Sequence, residues 1–147
     1  MKVWIKAIFL LASKMGALAE AIAQEMDNLS VDYITNTIVA CEQMMLLEDK
    51  KRRVVNFKVF NNLLKAQLTK DEYKLVKLHV IEAKTFEEIA IELESSKSAL
   101  SRKFNCIIKT CEEFLTKLTY TQDRLLKEYK DIALVYKMVQ KLERQGR

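Results

Sequence analysis

The stretch TFEEIAIELESSKSALSRKF, residues 85–104, decides the fold of this chain. Thr85 and Glu88 match the Ser/Thr-x-x-Glu pattern of a capping box, which predicts that a helix begins here. Ser96 is a second candidate N-cap, so another helix should follow almost at once. Very few residues are left between the two helices, which predicts a tight turn rather than an ordinary loop.

The composition of the whole chain favours helices as well. The 147 residues include no proline and only two glycines, so the chain lacks the turn residues that hairpins and sheets need. Half of the residues are apolar, which is enough to form a core. The net charge of +5 permits binding to nucleic acid without requiring it. We therefore expect an all-α helical bundle of about six helices.

The chain divides into three predicted segments. Residues 1–67 form a helical segment for packing or dimerisation, residues 68–120 hold the tightly turned helices, and residues 121–147 form a C-terminal amphipathic helix. Within the first segment we expect a helix over residues 2–27, a turn at 27–30, and a second helix capped by Ser30 or Asp32. A third helix should follow the basic patch at residues 50–53. That patch is interpreted first as a solvated helix face or junction and second as a phosphate-contacting surface.

The N-terminus allows two interpretations. Its early lysines, apolar stretch and Ala17–Ala19 resemble a signal peptide, whose removal would leave a secreted helical protein. Lys14 interrupts the apolar stretch, however, and an apolar helical stripe continues past the cleavage site to Met26. We favour an amphipathic helix in a cytoplasmic protein with no membrane span. The stripe consists of Trp4, Ile8, Leu11, Met15, Leu18 and Ile22.

Residues 68–120 predict three successive helices of the trihelical helix-turn-helix type. Thr69 and Glu72 form a further capping box that begins the first helix. Ala90 is small where the second helix should approach the third, and Leu93 and Leu100 should pack together across the turn. The apolar seam predicted for the third helix contains Leu100, Phe104, Ile107, Ile108, Cys111, Phe114, Leu115 and Leu118.

The polar side of the third helix is the candidate site for nucleic acid. No acidic residue lies between Ser95 and Thr110, whereas four basic residues do, and phosphates favour such a surface. Arginine and lysine can bond guanine, asparagine can bond adenine, and serine suits several bases. The predicted base-facing residues are Lys97, Ser98, Ser101, Arg102 and Asn105. The predicted phosphate contacts are Lys84, Thr85, Ser96, Lys103 and Lys109. The carboxylates of the preceding helix are expected near its N-terminus or on a face turned away, except for Glu94, which lies at the turn beside the proposed surface.

Residues 68–115 resemble the promoter-binding region-four domain of bacterial sigma factors. The resemblance lies in the Leu-Thr start, the TFEEIA entry to the middle helix and the SKSALSRKF opening of the last helix. Related helix-turn-helix modules occur in ArpU-like phage regulators. Two residues depart from the pattern, because Glu94 replaces the usual glycine of the turn and Ser95 replaces an aliphatic residue. Residues 1–67 also lack the promoter-melting domain of a free-standing sigma factor.

The resemblance implies a sequence-specific regulator of bacterial or phage transcription that binds double-stranded DNA. RNA polymerase is a second candidate partner. An alternative is a non-catalytic adaptor that binds polymerase or a sigma factor without reading DNA. The apolar seam of residues 121–147, formed by Leu125, Tyr129, Ile132, Tyr136 and Val139, should pack on the N-terminal helices or form a homodimer.

Catalytic chemistry is not expected from this sequence. Cys41, Cys106 and Cys111 lack metal-ligand spacing, and His79 lies in a helical pattern without a partner that the sequence fixes. We interpret all four as packing residues. We therefore predict no enzyme activity, no metal site and no cofactor.

Overall fold

The computed structural model describes residues 1–32 and 37–146, and the described residues form helices without strands. The helices are α1 Lys2–Asp32, α2 Thr37–Ala66, α3 Lys70–Val76, α4 Phe86–Leu93, α5 Lys97–Lys117, α6 Gln122–Tyr129 and α7 Ala133–Arg144. A π-helical turn, Lys77–Ile81, continues α3. The predicted all-α fold is confirmed.

The N-terminal segment contains two long helices instead of three shorter ones. The turn predicted at residues 27–30 is wrong, because α1 runs through these positions to Asp32. Ser30 and Asp32 therefore do not begin a second helix; their side chains, and residues 33–36, lie outside the described part of the chain. The predicted break near residues 50–53 is also wrong, since α2 is continuous there. Neither stretch contains a helix-breaking glycine or proline, and packing of α1 on α2 stabilises both helices.

The first half of α1 lies in the centre of the molecule. Its predicted apolar stripe is confirmed, since Trp4, Ile8, Leu11, Met15 and Ile22 are buried, while Leu18 and Met26 are partly buried against the core. α1 contacts α2, the π-helical turn, α5 and α7. Residues from all three predicted segments consequently share one apolar core.

The C-terminal segment forms two helices, and its packing on the rest of the chain is as predicted. Four of the five predicted seam residues are buried and Tyr136 is partly buried, and α7 lies against α1. The prediction of a single helix is wrong, because the helix is interrupted between Tyr129 and Ala133. Arg53 of α2 donates to the carbonyl of Glu128 and forms an ion pair with Asp131, which stabilises the end of α6.

Cysteine burial agrees only in part with the predicted packing role. Cys111 is buried, Cys41 is intermediate and Cys106 is exposed, so the prediction is wrong for Cys106.

Among the described residues, no helix combines the length and apolar character needed to cross a membrane.

Candidate nucleic-acid interface

Side-chain caps start each of the three helices of the predicted helix-turn-helix. The Thr69 hydroxyl accepts from the Glu72 amide at 3.2 Å, and the Glu72 carboxylate accepts from the Thr69 amide at 2.9 Å, which completes the capping box. Thr85 accepts from the Glu88 amide at 3.2 Å, but Glu88 binds the Thr85 hydroxyl instead of its amide. Ser96 accepts from the Ala99 amide at 3.1 Å. The three predicted helix starts are therefore confirmed.

The turn between α4 and α5 places Glu94 in the left-handed region. Its φ and ψ are 51° and 45°, and the following Ser95 amide donates to the Ala90 carbonyl at 3.0 Å. This bond is typical of a helix that ends in a left-handed residue, a position that glycine occupies most easily. Leu93 and Leu100 line one small cavity beside the turn. The chain thus makes the tight turn with a glutamate and accepts a conformational cost of about 1 kcal/mol.

His79 joins the first helix to the other two. Its Nδ1 lies 2.8 Å from the Lys84 carbonyl oxygen. Its ring stacks on Phe86 with centroids 4.1 Å apart and meets Phe104 edge-on at 4.8 Å. The packing role predicted for His79 agrees with these contacts. The π-helical turn that presents the ring has no sequence signature that would have predicted it.

Five of the predicted site residues share one exposed side of α5. Ser98, Arg102, Asn105 and Lys109 follow each other at spacings of four and three residues, which places them on one helix face. All four are exposed, and the neighbouring Ser101 is partly buried. Among the described residues, no carboxylate forms an ion pair with Arg102 or Lys109. This face, Ser98–Ser101–Arg102–Asn105–Lys109, is called the α5 polar face below.

Lys103 does not belong to the α5 polar face. It is exposed, but it lines the cavity beside Leu93 and Leu100 together with Asp71 and Lys74 of α3. A helix advances by about 100° per residue, so Lys103 points away from Asn105. Any contact that Lys103 makes with phosphate would therefore come from the α3 side.

The expectation for the carboxylates of α4 is met by Glu87 and Glu88, which lie in its first turn, but it is wrong for Glu92, which lies near the end of the helix and pairs with Lys84. Glu92 forms an ion pair with Lys84 at 2.9 Å, and Glu87 forms one with Lys97 at 3.0 Å. The hydrogen bond that Lys84 donates to the Glu92 carboxylate raises the pKa of the Lys84 ammonium. The cause is the shortness of α4, whose eight residues bring its outer side next to lysines on both flanking segments. Two predicted DNA contacts are thus neutralised by intramolecular partners.

The hydroxyls of Thr85 and Ser96 already serve as helix caps, as described above. Because phosphate oxygens accept hydrogen bonds, a phosphate contact would have to use the backbone amides or the hydroxyl proton, which Thr85 donates to Glu88 and which the Ser96 cap does not use. No group of three or more histidine, cysteine or acidic side chains in the described ranges could hold a metal ion.

The chain matches no protein-family model, no curated protein and no solved structure. The geometry of its own helices is accordingly the basis for a functional proposal.

Proposed function

We propose that the protein is a sequence-specific, double-stranded-DNA-binding regulator of transcription that acts in the cytoplasm of a bacterium or from a phage or mobile element. It acts by binding and not by catalysis. The observation that carries this proposal is the α5 polar face, which is exposed, basic and free of carboxylates directly after a tight interhelical turn.

The start of α5 would enter the major groove. Arg102 has the donor geometry for a guanine edge and Asn105 has the donor and acceptor for adenine, while Ser98 and Ser101 suit several bases. Lys109 lies on the same face further along the helix, where it can contact a phosphate. Glu112 and Glu113 follow, so repulsion by phosphates should limit the DNA contact to the first three turns of α5.

Lys84 and Lys97 would contribute to binding only after exchanging a carboxylate for a phosphate. Exposed ion pairs between flexible side chains are weak and screened by salt, so a polyanion can displace Glu92 and Glu87. We therefore expect both lysines to add less to DNA affinity than Arg102. We also expect Glu87→Gln with Glu92→Gln to raise that affinity, because two carboxylates would leave the surface.

Selection of bound duplexes from a random pool tests the proposal. A shared motif is expected, with affinity that falls steeply as the salt concentration rises. The double variant Arg102→Ala, Ser101→Ala should lose most of this affinity, whereas Lys137→Ala, an exposed change on α7, should keep it. Failure of any motif to emerge would argue against sequence-specific recognition.

The second candidate function is an adaptor that binds RNA polymerase or a sigma factor without reading DNA. The pairing of Lys84 and Lys97 with carboxylates favours it, because these pairs reduce the positive charge around α5. Binding to polymerase without DNA affinity at low salt would support the adaptor. Under this alternative, Glu87→Gln with Glu92→Gln would not create DNA binding.

A further inference from the structure

A cavity of about 210 Å³ lies where α1, the π-helical turn and α7 meet. Lys6 and Leu10 of α1 are one helical turn apart, and the lining residues of α7 recur at spacings of three and four, so each helix contributes a single face. The third wall is the π-helical turn together with Ala83, which follows it. No residue of the α5 polar face lines this cavity, so it is a separate place in the fold.

The charged side chains of the cavity are cationic. Lys6 is 5% exposed, and its Nζ lies 5.6 Å from the ring centroid of Phe104. His79, which also lines the cavity, meets the same ring edge-on at 4.8 Å. Lys141 is exposed and therefore lies where the cavity meets solvent. None of the described lining residues is acidic, and a cleft lined by charges of one sign attracts a ligand of the opposite sign.

Most of the remaining lining is apolar, which restricts the kind of anion that fits. An inorganic phosphate would leave these side chains without contacts, whereas a ligand with an apolar body would cover them. An apolar cavity of about 150 Å³ is enough for benzene, so this one has room for a single ring that carries a carboxylate. The apolar lining residues are Leu10, Val80, Ile81, Ala83, Met138 and Leu142.

The backbone that forms the third wall is unusual. The Glu82 amide donates to the Lys77 carbonyl at 2.9 Å, the five-residue step of a π-helical turn, and such turns are frequent at functional sites. Ala83 then adopts a φ of 55°, a region that residues other than glycine seldom occupy. Unfavourable backbone conformations of this kind cluster at ligand sites. The wall therefore supports a binding role for the cavity.

We propose that this cavity binds a small monocarboxylate with one apolar ring or an alkyl chain of similar size. The carboxylate accepts hydrogen bonds from the ammonium groups of Lys6 and Lys141, and the apolar part packs against residues such as Val80 and Met138. An ammonium has several donors, so Lys6 can bind the ligand in addition to the contacts that it makes within the chain. The proposal does not depend on whether the protein binds DNA.

Nuclear magnetic resonance of the full chain tests the site with benzoate as the probe. The chain contains a single histidine, so the ring signals of His79 report on this cavity unambiguously. Benzoate should shift them in a saturable way. Benzamide, a neutral molecule of similar shape, and acetate, which lacks the ring, should each bind at least about tenfold more weakly. Unchanged His79 signals, or equal affinity for benzoate and either analogue, would overturn the proposal.

Matched lysine variants locate the carboxylate. Lys6→Met should weaken benzoate binding by about tenfold or more, because a hydrogen bond from a buried cation is lost. Lys141→Gln should weaken it by about threefold, since an exposed ion pair contributes less. Lys137→Gln is the control; it removes an exposed lysine of α7 that does not line the cavity and should keep wild-type affinity.

The exposed position keeps the test decisive if Lys6→Met does not fold, which circular dichroism would show. Wild-type affinity in Lys141→Gln, or an equal loss in Lys141→Gln and Lys137→Gln, would place benzoate outside this cavity and overturn the proposal.

Discussion

Helices α5 and α2 differ in how completely they bury their apolar side chains. α5 buries six residues of its predicted seam, and the side opposite them is polar. α2 buries one side and still exposes Ile38, Met45, Val59 and Leu63 on another. The polar side of α5 is therefore available to a charged ligand such as DNA. The apolar residues on the second side of α2 remain exposed within the described part of the chain.

The largest expected effect separates the covered and uncovered apolar residues. Phe104→Ala on α5 should lower the free energy of unfolding by about 3–5 kcal/mol, because Phe104 is 1% exposed and its loss leaves a cavity. Met45→Ala on α2 should change it by about 0.5 kcal/mol or less in the monomer. Urea unfolding of the two variants and the wild type measures both effects.

Similar losses from the two variants would contradict this contrast. They would mean that Met45 contributes to the core of the chain despite being 69% exposed.

A smaller effect is expected from the charged contact between α2 and α6. The side chain of Arg53 is 14% exposed, and it contacts Asp49, Asp131 and the Glu128 carbonyl. Arg53→Met should lower the free energy of unfolding by about 2 kcal/mol, because the hydrogen bonds of a partly buried cation are lost. Its neighbour Arg52 is 67% exposed, and Arg52→Met is the matched control, with an expected loss near zero in the monomer.

The contribution of Arg53 should depend on pH. The hydrogen bond from Arg53 is the main cause that lowers the pKa of the Asp131 carboxyl below its ordinary value of 3.8. A carboxyl with a lowered pKa stabilises the folded state above its unfolded-state pKa, and this stabilisation is lost as the pH falls through the folded-state pKa. The difference between wild type and Arg53→Met should therefore be full near neutral pH and shrink below about pH 4. A difference independent of pH would show that the salt bridge is not its source.

Three backbone positions with positive φ allow substitutions that should raise the stability of the protein. Ala83, Glu94 and Thr119 all have positive φ, and each is followed by an amide that donates back into the preceding helix. Replacing Ala83 or Glu94 by glycine should raise the free energy of unfolding by up to about 1 kcal/mol. Thr119→Gly should gain less, because the Thr119 hydroxyl accepts from Arg124 at 2.7 Å. Thermal unfolding measures all three, and a loss at Glu94 would show that its side chain stabilises the turn.

The reactivity of two cysteines should distinguish the exposed side of α5 from its buried side. Burial raises the pKa of the Cys111 thiol to about 12, whereas Cys106 is exposed. Only the thiolate reacts with a disulfide reagent, so Cys106 should react rapidly and Cys111 only when the chain unfolds. Cys106→Ser should remove the rapid phase, and its persistence would assign it to Cys41.

Local sequence predicted the tightly turned half well. Thr69, Thr85 and Ser96 begin helices because a cap depends on residues within one turn of it. Six of the eight predicted seam residues of α5 are buried where the helical period places them, whereas Phe114 is partly buried and Leu118, beyond the end of the helix, is 40% exposed. Exposure of the α5 polar face followed from the same period.

What could not be predicted depends on distant partners. The break after α6 involves Arg53, which lies 78 residues from Asp131. The length of α1 and α2 reflects their mutual packing. The presence of Ser30 and Asp32 could not show this, because serine and aspartate occur within helices as well as at helix starts. The pairing of Glu87 with Lys97 depends on how α4 lies against α5, which no local pattern contains.

The contacts of α1 with α5 and α7 have a consequence for synthesis on the ribosome. α1 and α2 are neighbours in the chain and can pair early, but the buried face around Trp4 and Ile8 needs residues made more than a hundred positions later. That apolar face must therefore wait for most of translation before it is covered, a period in which nascent chains are prone to aggregation. Residues 68–120 expressed alone would lack the α1 side chains that cover Phe104, so experiments on DNA binding require the full chain.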